Sequence, residues 1–402
     1  MTLRRLGLPL MYSLLSCAAF ASVPEVTPTL ETPPVFDTDA GNAPAGARLG
    51  DADDPAIWLH PTNPARSLVA SALKDGGLEI YDLAGEVVQS FSPEGARYNN
   101  VDVIYGFPLA GKATDLFVAS DRNNDLLAVY AIDPVSGELT NVTDPESPLV
   151  FTAAGEDSDG ETTAYGIAAY RDPASSRFYA FVSRRETNEV AQLELVERNG
   201  RVGWKTVRTL TLELPDSYDG DNPQVEGMVV DTELGVAYLA QEQVGIWKVT
   251  SDPASKASPQ LIHPVDDEVL TADAEGLTIY YGPDDTGYLL ASSQGSSTFL
   301  VYTRENNDYI GSFKVGSSRD LDGDIDSVEE SDGSMVLNVP LGDAFPQGLL
   351  VVHDGLNEPK LLVEDDGEME NVSTAFKFLP WQRVAESFDP PLLIDTESYS
   401  PR

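Results

Sequence analysis

The sequence predicts an all-β protein, and more narrowly a six-bladed β-propeller built from four-stranded antiparallel blades. Two kinds of segment recur along the 402 residues. In the first kind, a polar or acidic residue leads into a short apolar strand. In the second kind, an apolar strand ends on a polar residue. Each kind occurs six times, and 16 to 21 residues separate the two within a unit. Units of about 40 to 50 residues with four short strands are typical of propeller blades.

The residue that opens the innermost strand of each unit is the first marker of that unit. In chain order, the first markers are Asp54, Asp102, Tyr165, Glu226, Glu275 and Asp332. The second markers, at the ends of the following strands, are Lys74, Arg122, Arg185, Glu242, Gln294 and His353. Equivalent positions of different blades converge on the channel axis, so we expect two neighbouring rings at one mouth, with Asp53 and Asp273 close by.

The outer strands of each unit alternate apolar and polar residues, as half-buried strands do. The run from Leu78 to Val88 forms such a hairpin around a central glycine, and the runs that begin at Val190 and Gly245 have the same alternation. No convincing amphipathic pattern longer than about ten residues indicates a helix. We therefore place a single propeller domain at residues 49–390.

The N-terminus predicts export from the cytoplasm. Arg4 and Arg5 precede the mostly apolar stretch Leu6–Phe20, and Ala19-Phe20-Ala21 is a small-residue cleavage site. A signal peptide would span residues 1–21, and cleavage near Ala21 would leave a secreted or periplasmic protein.

Two further features bear on the N-terminal region. Leu14-Leu15-Ser16-Cys17 fits a lipoprotein cleavage box, so a lipid anchor at Cys17 is the alternative to a soluble protein. Residues 22–48 are rich in Pro, Thr, Ala and Gly, which predicts a mobile leader before the propeller.

Composition excludes several classes of function. The chain has 66 acidic and 25 basic residues, and its formal net charge of -41 repels phosphate backbones, so we expect no nucleic-acid binding. Cys17 is the only cysteine, which rules out internal disulfides and cysteine-built metal sites. Three histidines leave little material for a histidine-rich metal centre.

The two rings together indicate metal-assisted phosphate chemistry. Clusters of oxygen ligands select hard cations, and Ca²⁺ tolerates an irregular shell of oxygens. Lysine and arginine beside such a cation suit a phosphate ligand. We therefore expect several calcium ions, both catalytic and structural, and attack on a polyphosphate substrate by a metal-activated water. Acids at strand ends are also common turn formers, which is the alternative for any single one of them.

Competing phosphatase mechanisms lack their residues in this sequence. None of the three histidines has arginine within five positions on both sides, as a phosphohistidine mechanism would favour. The cysteine lies in the predicted signal peptide, and no Gly-x-Ser-x-Gly elbow occurs. The acidic run Asp320 to Asp332 has carboxylates at alternate positions; it is either a calcium loop or a solvated acidic loop.

Several longer motifs make residues 48–385 resemble the β-propeller phytases. The first is Asp51-Ala-Asp-Asp-Pro-Ala-Ile-Trp58, followed by His60-Pro61. The others are Asn99-Asn-Val-Asp102, Ala119-Ser-Asp-Arg122, Glu226-Gly-Met228, Asp273-Ala-Glu-Gly-Leu-Thr-Ile-Tyr-Tyr281, Gly287-Tyr-Leu-Leu-Ala-Ser-Ser-Gln-Gly295, Phe345-Pro-Gln-Gly-Leu349 and Phe378-Leu-Pro-Trp381.

The resemblance implies a secreted, calcium-dependent phosphomonoesterase that acts on calcium phytate near neutral or alkaline pH. It implies that Lys74, Arg122 and Tyr165 contact phosphate, together with Arg185 or, because of an apparent insertion, Arg184. The carboxylates that match calcium sites of the family are Asp54, Glu226, Glu242, Asp273, Glu275 and Asp326.

Bringing both lines of reasoning together, we predict three groups of site residues. The catalytic group is Lys74, Arg122, Tyr165, Arg185, Glu226 and Glu242. The substrate-binding group is Lys74, Arg122, Tyr165, Arg184 and Arg185. The metal ligands are Asp53, Asp54, Asp102, Glu226, Glu242, Asp273, Glu275 and Asp326.

Two positions depart from the family pattern. Asp75 stands where some members have a second lysine, and Met335 stands where an aspartate is usual. The expected partner is a small molecule, an inositol phosphate as its calcium complex, and we expect a monomer. Two other functions stay open: a non-catalytic calcium-stabilised propeller that binds a partner, and a calcium-dependent lactonase on the same fold.

Overall fold

The computed structural model describes residues 23–37, 45–216, 218–220, 222–266, 268–320, 323–365 and 368–402. The predicted signal peptide and Cys17 lie outside the described residues, as does part of the acidic run after Asp320. Within the described ranges, no helix is long and apolar enough to cross a membrane.

The fold is the predicted six-bladed β-propeller, preceded by three short strands. These strands are β1 (Glu25–Val26), β2 (Leu30–Glu31) and β3 (Val35–Phe36). Blade 1 comprises β4 (Pro55–Trp58), β5 (Leu68–Ala72), β6 (Leu78–Tyr81) and β7 (Val87–Phe91), with a 3₁₀ turn at Pro64–Arg66. Blade 2 comprises β8 (Tyr98–Leu109), β9 (Lys112–Asp121), β10 (Leu126–Ile132) and β11 (Leu139–Asn141).

The next three blades repeat the same antiparallel order. Blade 3 comprises β12 (Ala164–Arg171), β13 (Phe178–Arg184), β14 (Glu189–Arg198) and β15 (Arg201–Thr211). Blade 4 comprises β16 (Val225–Asp231), β17 (Val236–Gln241), β18 (Gly245–Thr250) and β19 (Gln260–Pro264). Blade 5 comprises β20 (Ala274–Tyr281), β21 (Gly287–Ser293), β22 (Thr298–Thr303) and β23 (Tyr309–Val315), with a 3₁₀ turn at Gln294–Ser296.

Blade 6 follows a short hairpin and contains another. The first hairpin is β24 (Ser318–Asp320) and β25 (Gly323–Ile325). The blade comprises β26 (Ser334–Leu337), β27 (Leu349–Asp354) and β30 (Ser373–Pro380), and between the last two lies the hairpin of β28 (Leu362–Asp365) and β29 (Glu368–Asn371). Helix α1 (Trp381–Glu386) follows. The innermost strands β4, β8, β12, β16, β20 and β26 contact one another in a closed ring.

The prediction of a mobile leader at residues 22–48 is wrong for residues 23–37, because these residues extend the sheets of blades 5 and 6. Strand β1 pairs in parallel with β23, and β2 and β3 pair with β30. Val35 and Phe36 are buried, so the segment adds apolar contact as well as hydrogen bonds to otherwise open sheet edges. The N-terminal strands thus complete the blade that the C-terminal part of the chain begins.

The predicted domain end at residue 390 is too early, because residues beyond it also pack on the propeller. The ring of Tyr399 stacks on that of Tyr281 with centroids 4.2 Å apart. An Arg402 guanidinium nitrogen lies 2.8 Å from a carboxylate oxygen of Asp115. Tyr281, Tyr399, Arg402 and Asp102 line a cavity of about 380 Å³ among the innermost strands.

Four innermost strands carry the same β-bulge, at which the register of pairing shifts by one residue. The shifts fall between Tyr98 and Val101, Ala164 and Ile167, Val225 and Met228, and Ala274 and Leu277. Bulges re-aim side chains and are frequent beside active sites. Here they present the residue pairs Asn99-Asn100, Tyr165-Gly166, Glu226-Gly227 and Glu275-Gly276.

The glycines at these bulges sit where neighbouring blades touch backbone to backbone. A Cβ atom on Gly166 would lie 2.1 Å from the carbonyl oxygen of Glu226. One on Gly227 would lie 2.2 Å from that of Glu275. Gly276 and Gly333 approach the carbonyls of Asp332 and Asp53 in the same way. Because each approach excludes any side chain, glycine lets adjacent innermost strands converge at one mouth of the channel.

Candidate functional site

The mouth of the channel at the bulges carries one residue from each innermost strand. The bulges and the glycine contacts place Asp53, Asn99, Tyr165, Glu226, Glu275 and Asp332 in equivalent positions. The ring predicted from the sequence is therefore correct in blades 3 to 6, while blades 1 and 2 contribute Asp53 and Asn99 instead of Asp54 and Asp102. In blade 1 the contact with Gly333 falls on Asp53, and in blade 2 the bulge of β8 falls on Asn99 and Asn100, before the position that the sequence spacing favoured.

Asp54 and Asp102, both predicted metal ligands, instead connect neighbouring blades. The Oδ2 atom of Asp54 accepts a hydrogen bond from Val101 N at 3.1 Å. Asp102 accepts one from Val103 N at 2.6 Å and one from Ala169 N at 2.8 Å. Asp102 also lines the cavity that contains Tyr399. Their carboxylates cap backbone amides of β8 and β12 and do not join the cluster at the mouth.

Three glutamates form the acidic centre of the mouth. Glu226, Glu242 and Glu275 are buried, and each offers a carboxylate oxygen within 4.8 Å of the others. Glu226 and Glu275 come from the bulges of β16 and β20, and Glu242 follows β17, as the sequence predicts. Asp273, just before β20, is half-buried beside this centre, and its pKa is raised by burial and then by Asp332.

Hydrogen bonds hold the glutamates in place from both sides. Asn99 Nδ2 donates to Glu226 Oε1 at 2.6 Å, and Tyr165 Oη donates to Glu226 Oε2 at 2.6 Å. Gln224 Nε2 donates to Glu242 Oε1 at 2.7 Å and to Tyr165 Oη at 3.2 Å. The phenol of Tyr165 is thus fixed as a donor to a carboxylate.

The crowding of buried acids raises their pKa values. Burial, followed by the charge of Glu242, raises the pKa of Glu226 to about 8. Burial, followed by the charge of Asp273, raises the pKa of Glu242 to about 8. The pKa of Glu275 is raised well above its ordinary value, again by burial first and then by Glu226. Keeping all three ionised at neutral pH therefore requires added positive charge.

Carboxylate oxygens that lack hydrogen bonds indicate where the added positive charge would bind. Glu275 Oε2 and Asp53 Oδ1 are buried and have no hydrogen-bond partner among the described residues, and Asp53 Oδ2 has only the ammonium of Lys74 near it, at 3.3 Å. Buried ionised carboxylates are normally paired or bound to a metal. An all-oxygen group of this kind, without cysteine or histidine, fits a hard divalent cation. The residues present therefore fit the metal site that the sequence predicts.

Lys74 supplies part of the compensating charge. Its Nζ atom lies 2.7 Å from Asp51 Oδ2, 3.3 Å from Asp53 Oδ2 and 3.8 Å from Asp332 Oδ2. Burial alone would lower the pKa of Lys74, but Asp51, Asp53 and Asp332 raise it well above its ordinary value. The ammonium is therefore permanently charged at the edge of the acidic centre.

Arg122 and Arg185 continue the positive side of the mouth. Arg122 Nη1 donates to Asn99 Oδ1 at 3.0 Å, and its guanidinium lies 5.7 Å from the centroid of Tyr165. The pKa of Arg122 is lowered, mainly by burial and then by the charges of Arg97 and Arg185. Arg185 is thus close enough for its charge to act on Arg122, and it pairs with Glu186 at 2.7 Å.

Arg184 and Arg185, the two alternatives for a phosphate contact, differ in the contacts that they make. Arg184 Nε donates to the carbonyl oxygen of Thr162 at 2.9 Å, and its Nη1 pairs with Glu189 at 2.9 Å. Its guanidinium also lies 5.7 Å from the ring centroid of Phe151. Arg184, the last residue of β13, is therefore engaged by groups of blade 3 and its flanking loops, whereas Arg185 follows the strand.

Asp326, a predicted metal ligand, belongs to a different cluster. Its carboxylate pairs with the buried ammonium of Lys377, and its Oδ2 accepts a hydrogen bond from Glu358 N at 2.8 Å. Lys377 Nζ also lies 2.6 Å from Asp354. Because Lys377 lies on β30, this carboxylate ties the loop before blade 6 to that blade.

Residues that the sequence analysis did not assign complete the site. Asn99 links Arg122 to Glu226, Gln224 links Tyr165 to Glu242, and Asp51 pairs with Lys74. Asp332, the first marker of blade 6, accepts a hydrogen bond from Gln294 Nε2 at 2.6 Å. Asn99 and Asp51 both lie inside motifs that carry the family resemblance, so those motifs could have indicated them. Gln224 lies in none of these motifs.

Comparison with known proteins agrees with this geometry. The profile of the family described as Phytase matches residues 8–402. The 3-phytase of Bacillus subtilis (strain 168) is 36% identical over 366 residues, which cover 90% of this chain and 85% of that protein.

Two solved structures align at low identity. The Cps50 (Swd1) β-propeller domain of Myceliophteria thermophila aligns over 81% of this chain and 82% of its own, with 10% identity and a TM-score of 0.43. BBS1N in complex with ARL6DN aligns over 81% and 77%, with 12% identity and a TM-score of 0.39. Neither score bears on function.

The family match covers nearly the whole chain, and the relative is matched over most of both lengths. The mouth of the channel combines an acidic centre suited to a metal with permanently charged basic groups suited to phosphate. The chain therefore belongs to the phytase family, and its activity is that of a phosphatase of the 3-phytase type.

Proposed function

We propose that this phytase depends on calcium and acts on calcium complexes of inositol phosphates at the mouth of the channel. The observation that carries the proposal is the group formed by Glu226, Glu242 and Glu275, whose oxygens lie within 4.8 Å of one another. Irregular oxygen shells of this kind suit Ca²⁺ better than Mg²⁺, which demands near-ideal octahedral geometry. Bound there, calcium would supply a Lewis acid for phosphoryl oxygens and a source of activated water.

The side chains around the group have complementary tasks. Lys74, Arg122 and Arg185 would bind the substrate phosphate, with arginine capable of two parallel hydrogen bonds. As negative charge builds on the phosphoryl oxygens, these fixed cations stabilise it without reorganising. Tyr165 and Asn99 hold Glu226 in position through bonds of 2.6 Å each. A lactonase would not need the three basic side chains Lys74, Arg122 and Arg185.

We further propose that the protein is exported and works as a monomer outside the cytoplasm. The basic, apolar and small-residue segments of residues 1–21 support export, with release after Ala21 or anchoring at Cys17 as the two routes. The strong excess of acidic residues also favours a calcium-rich surrounding, since bound cations relieve the self-repulsion of the chain.

The direct test of the proposed function is phosphate release from phytate with calcium, with magnesium, and with a chelator. We expect release with calcium, little with magnesium and none with the chelator, because the irregular acidic group favours the larger ion. A simple lactone serves as the control substrate and should not be hydrolysed. Equal phosphate release in chelator would contradict the proposal.

Substitution of each of the two adjacent arginines tests which of them contacts the substrate phosphate. Arg185→Ala should lower kcat/KM for phytate by roughly tenfold or more, because a charge-assisted contact to phosphate is lost. Arg184→Ala is the matched control and should leave kcat/KM near the parent value, since Arg184 contacts Thr162 and Glu189. The reverse pattern would move the phosphate contact to Arg184.

The pH dependence of stability tests the acidic centre. Native Glu226 and Glu242, with pKa values raised from 4.5 to about 8, hold protons that the unfolded chain releases. Without divalent cations, their contribution to stability is present below pH 4.5 and is lost as the pH rises towards about 8. Calcium should remove this loss by replacing the protons. The measurement is the melting temperature at each pH from 5 to 9. If it changes with pH in the same way in calcium and in chelator, the result would contradict a metal at these glutamates.

A further inference from the structure

Residues 395–402, which we call the strap, cross the face of the propeller that lies opposite the mouth. The innermost strands begin at the mouth and end at this opposite face, where Trp58 is the last residue of β4 and Tyr281 is the last residue of β20. The strap contacts both of these strand ends, in blades 1 and 5. It thus lies over the end of the channel that is remote from the acidic centre.

The strap is first attached at blades 5 and 6. The amide of Asp395 donates to Tyr280 Oη at 2.6 Å, and its carbonyl oxygen accepts from Tyr280 Oη at 2.9 Å. Asn338 Nδ2, just after β26, donates to the same carbonyl oxygen at 3.1 Å. The side chain of Asp395 accepts from the amides of Glu397 and Ser398 at 2.8 and 2.9 Å, which forms a tight turn. The strap therefore leaves blade 5 in a fixed direction.

Tyr399 packs in the middle of the strap. Its ring is parallel to that of Tyr281 within 2°, with centroids 4.2 Å apart. It also packs against two buried clusters, one that contains Ile57 of β4 and one that contains Ile279 of β20. Tyr399 thus contacts apolar residues of blades 1 and 5 at once.

Arg402 attaches the other end of the strap to blades 1 and 2. Its guanidinium donates to the carbonyl oxygen of Leu59, just after β4, and lies 2.8 Å from Asp115 Oδ2 on β9. It also lies 4.7 Å from the ring centroid of Tyr105 on β8. Asp115 Oδ2 accepts a hydrogen bond from Trp58 Nε1 at 2.8 Å, so the same carboxylate joins the two blades.

The two attachments lie on opposite sides of the ring. The innermost strands contact one another in chain order around the channel, so blade 2 stands opposite blade 5 in a ring of six. Strap residues line the cavity of about 380 Å³ together with Asp102, Thr278 and Met335 from the innermost strands. The strap is therefore a direct connection between blades that are otherwise joined through the blades between them.

This connection opposes a force that acts at the other end of the channel. Without a metal, Glu226, Glu242 and Glu275 repel one another when ionised, and the repulsion favours a wider ring. We propose that the strap locks the ring of blades closed, so that the acids of the mouth are already in binding position before calcium arrives. The inference rests on the proposed function only in taking calcium as the ion of the mouth.

The lock has a consequence for calcium affinity. If calcium binds only the closed ring, its apparent Kd rises as the closed fraction of the metal-free protein falls. A weakened strap then lowers calcium affinity although no strap residue lies at the mouth. The gain in melting temperature on adding calcium shrinks with it, because that gain follows the affinity of the folded state for the ion. A strap that merely adds contacts would leave both quantities unchanged.

The test compares calcium titration calorimetry and melting of the full-length protein with those of strap variants. Arg402→Gln and Tyr399→Ala should each raise the Kd for calcium by several-fold to roughly tenfold and reduce the gain in melting temperature from chelator to calcium. Tyr399→Phe retains the stacked ring and should behave as the parent. The kcat for phytate in saturating calcium should stay at the parent value in all three variants.

Arg177→Gln is the matched control. Arg177 is an exposed arginine at the same face, 3.7 Å from Glu194 within blade 3, and its loss should change neither the Kd nor the gain. Should Tyr399→Ala not fold, Arg402→Gln carries the comparison, since the Arg402 side chain is 27% exposed. Strap variants that melt lower by the same amount in calcium and in chelator, with parent Kd, would overturn the inference. A parent that binds no calcium would instead defeat the proposed function.

Discussion

The innermost strands approach so closely at one mouth of the channel that no Cβ atom fits between several neighbouring blades. Gly227 is one such case, since a Cβ there would lie 2.2 Å from the carbonyl oxygen of Glu275. This contact brings acids of separate blades together, and closely spaced buried charges of one sign repel strongly. The site exists because backbone packing enforces an arrangement that the side chains alone would avoid.

The repulsion is compensated in two directions. On one side, Lys74 lies among Asp51, Asp53 and Asp332 and remains charged. On the other, Glu275 Oε2 is buried without a hydrogen-bond partner among the described residues, and the three glutamates lie close enough together to receive a divalent cation. The excess of buried negative charge that destabilises the metal-free site also gives the site its affinity for a metal. The free energy of folding and the affinity for the metal are therefore linked.

The sequence predicted the architecture and most of the site, because the repeat spacing and the polar residues at strand ends are local features. It misplaced the ring in blades 1 and 2, since the residues that face the mouth there depend on where Gly333 meets Asp53 and on the position of the bulge of β8 at Asn99-Asn100. It also missed the packing of residues 23–37. Their composition is typical of a linker, but their strands pair with β23 and β30. Both errors concern contacts between strands and between blades, which composition and spacing do not encode.

Calcium binding to a Gly227→Ala variant tests most directly whether backbone convergence creates the metal site. Titration calorimetry of folded protein should show that this variant loses affinity at the mouth by about tenfold or more, because an added Cβ pushes Glu226 and Glu275 apart. Gly200→Ala is the control, since its Cβ would meet nothing within 4 Å and only the backbone conformation is strained. Parent affinity and stoichiometry in Gly227→Ala would contradict the account.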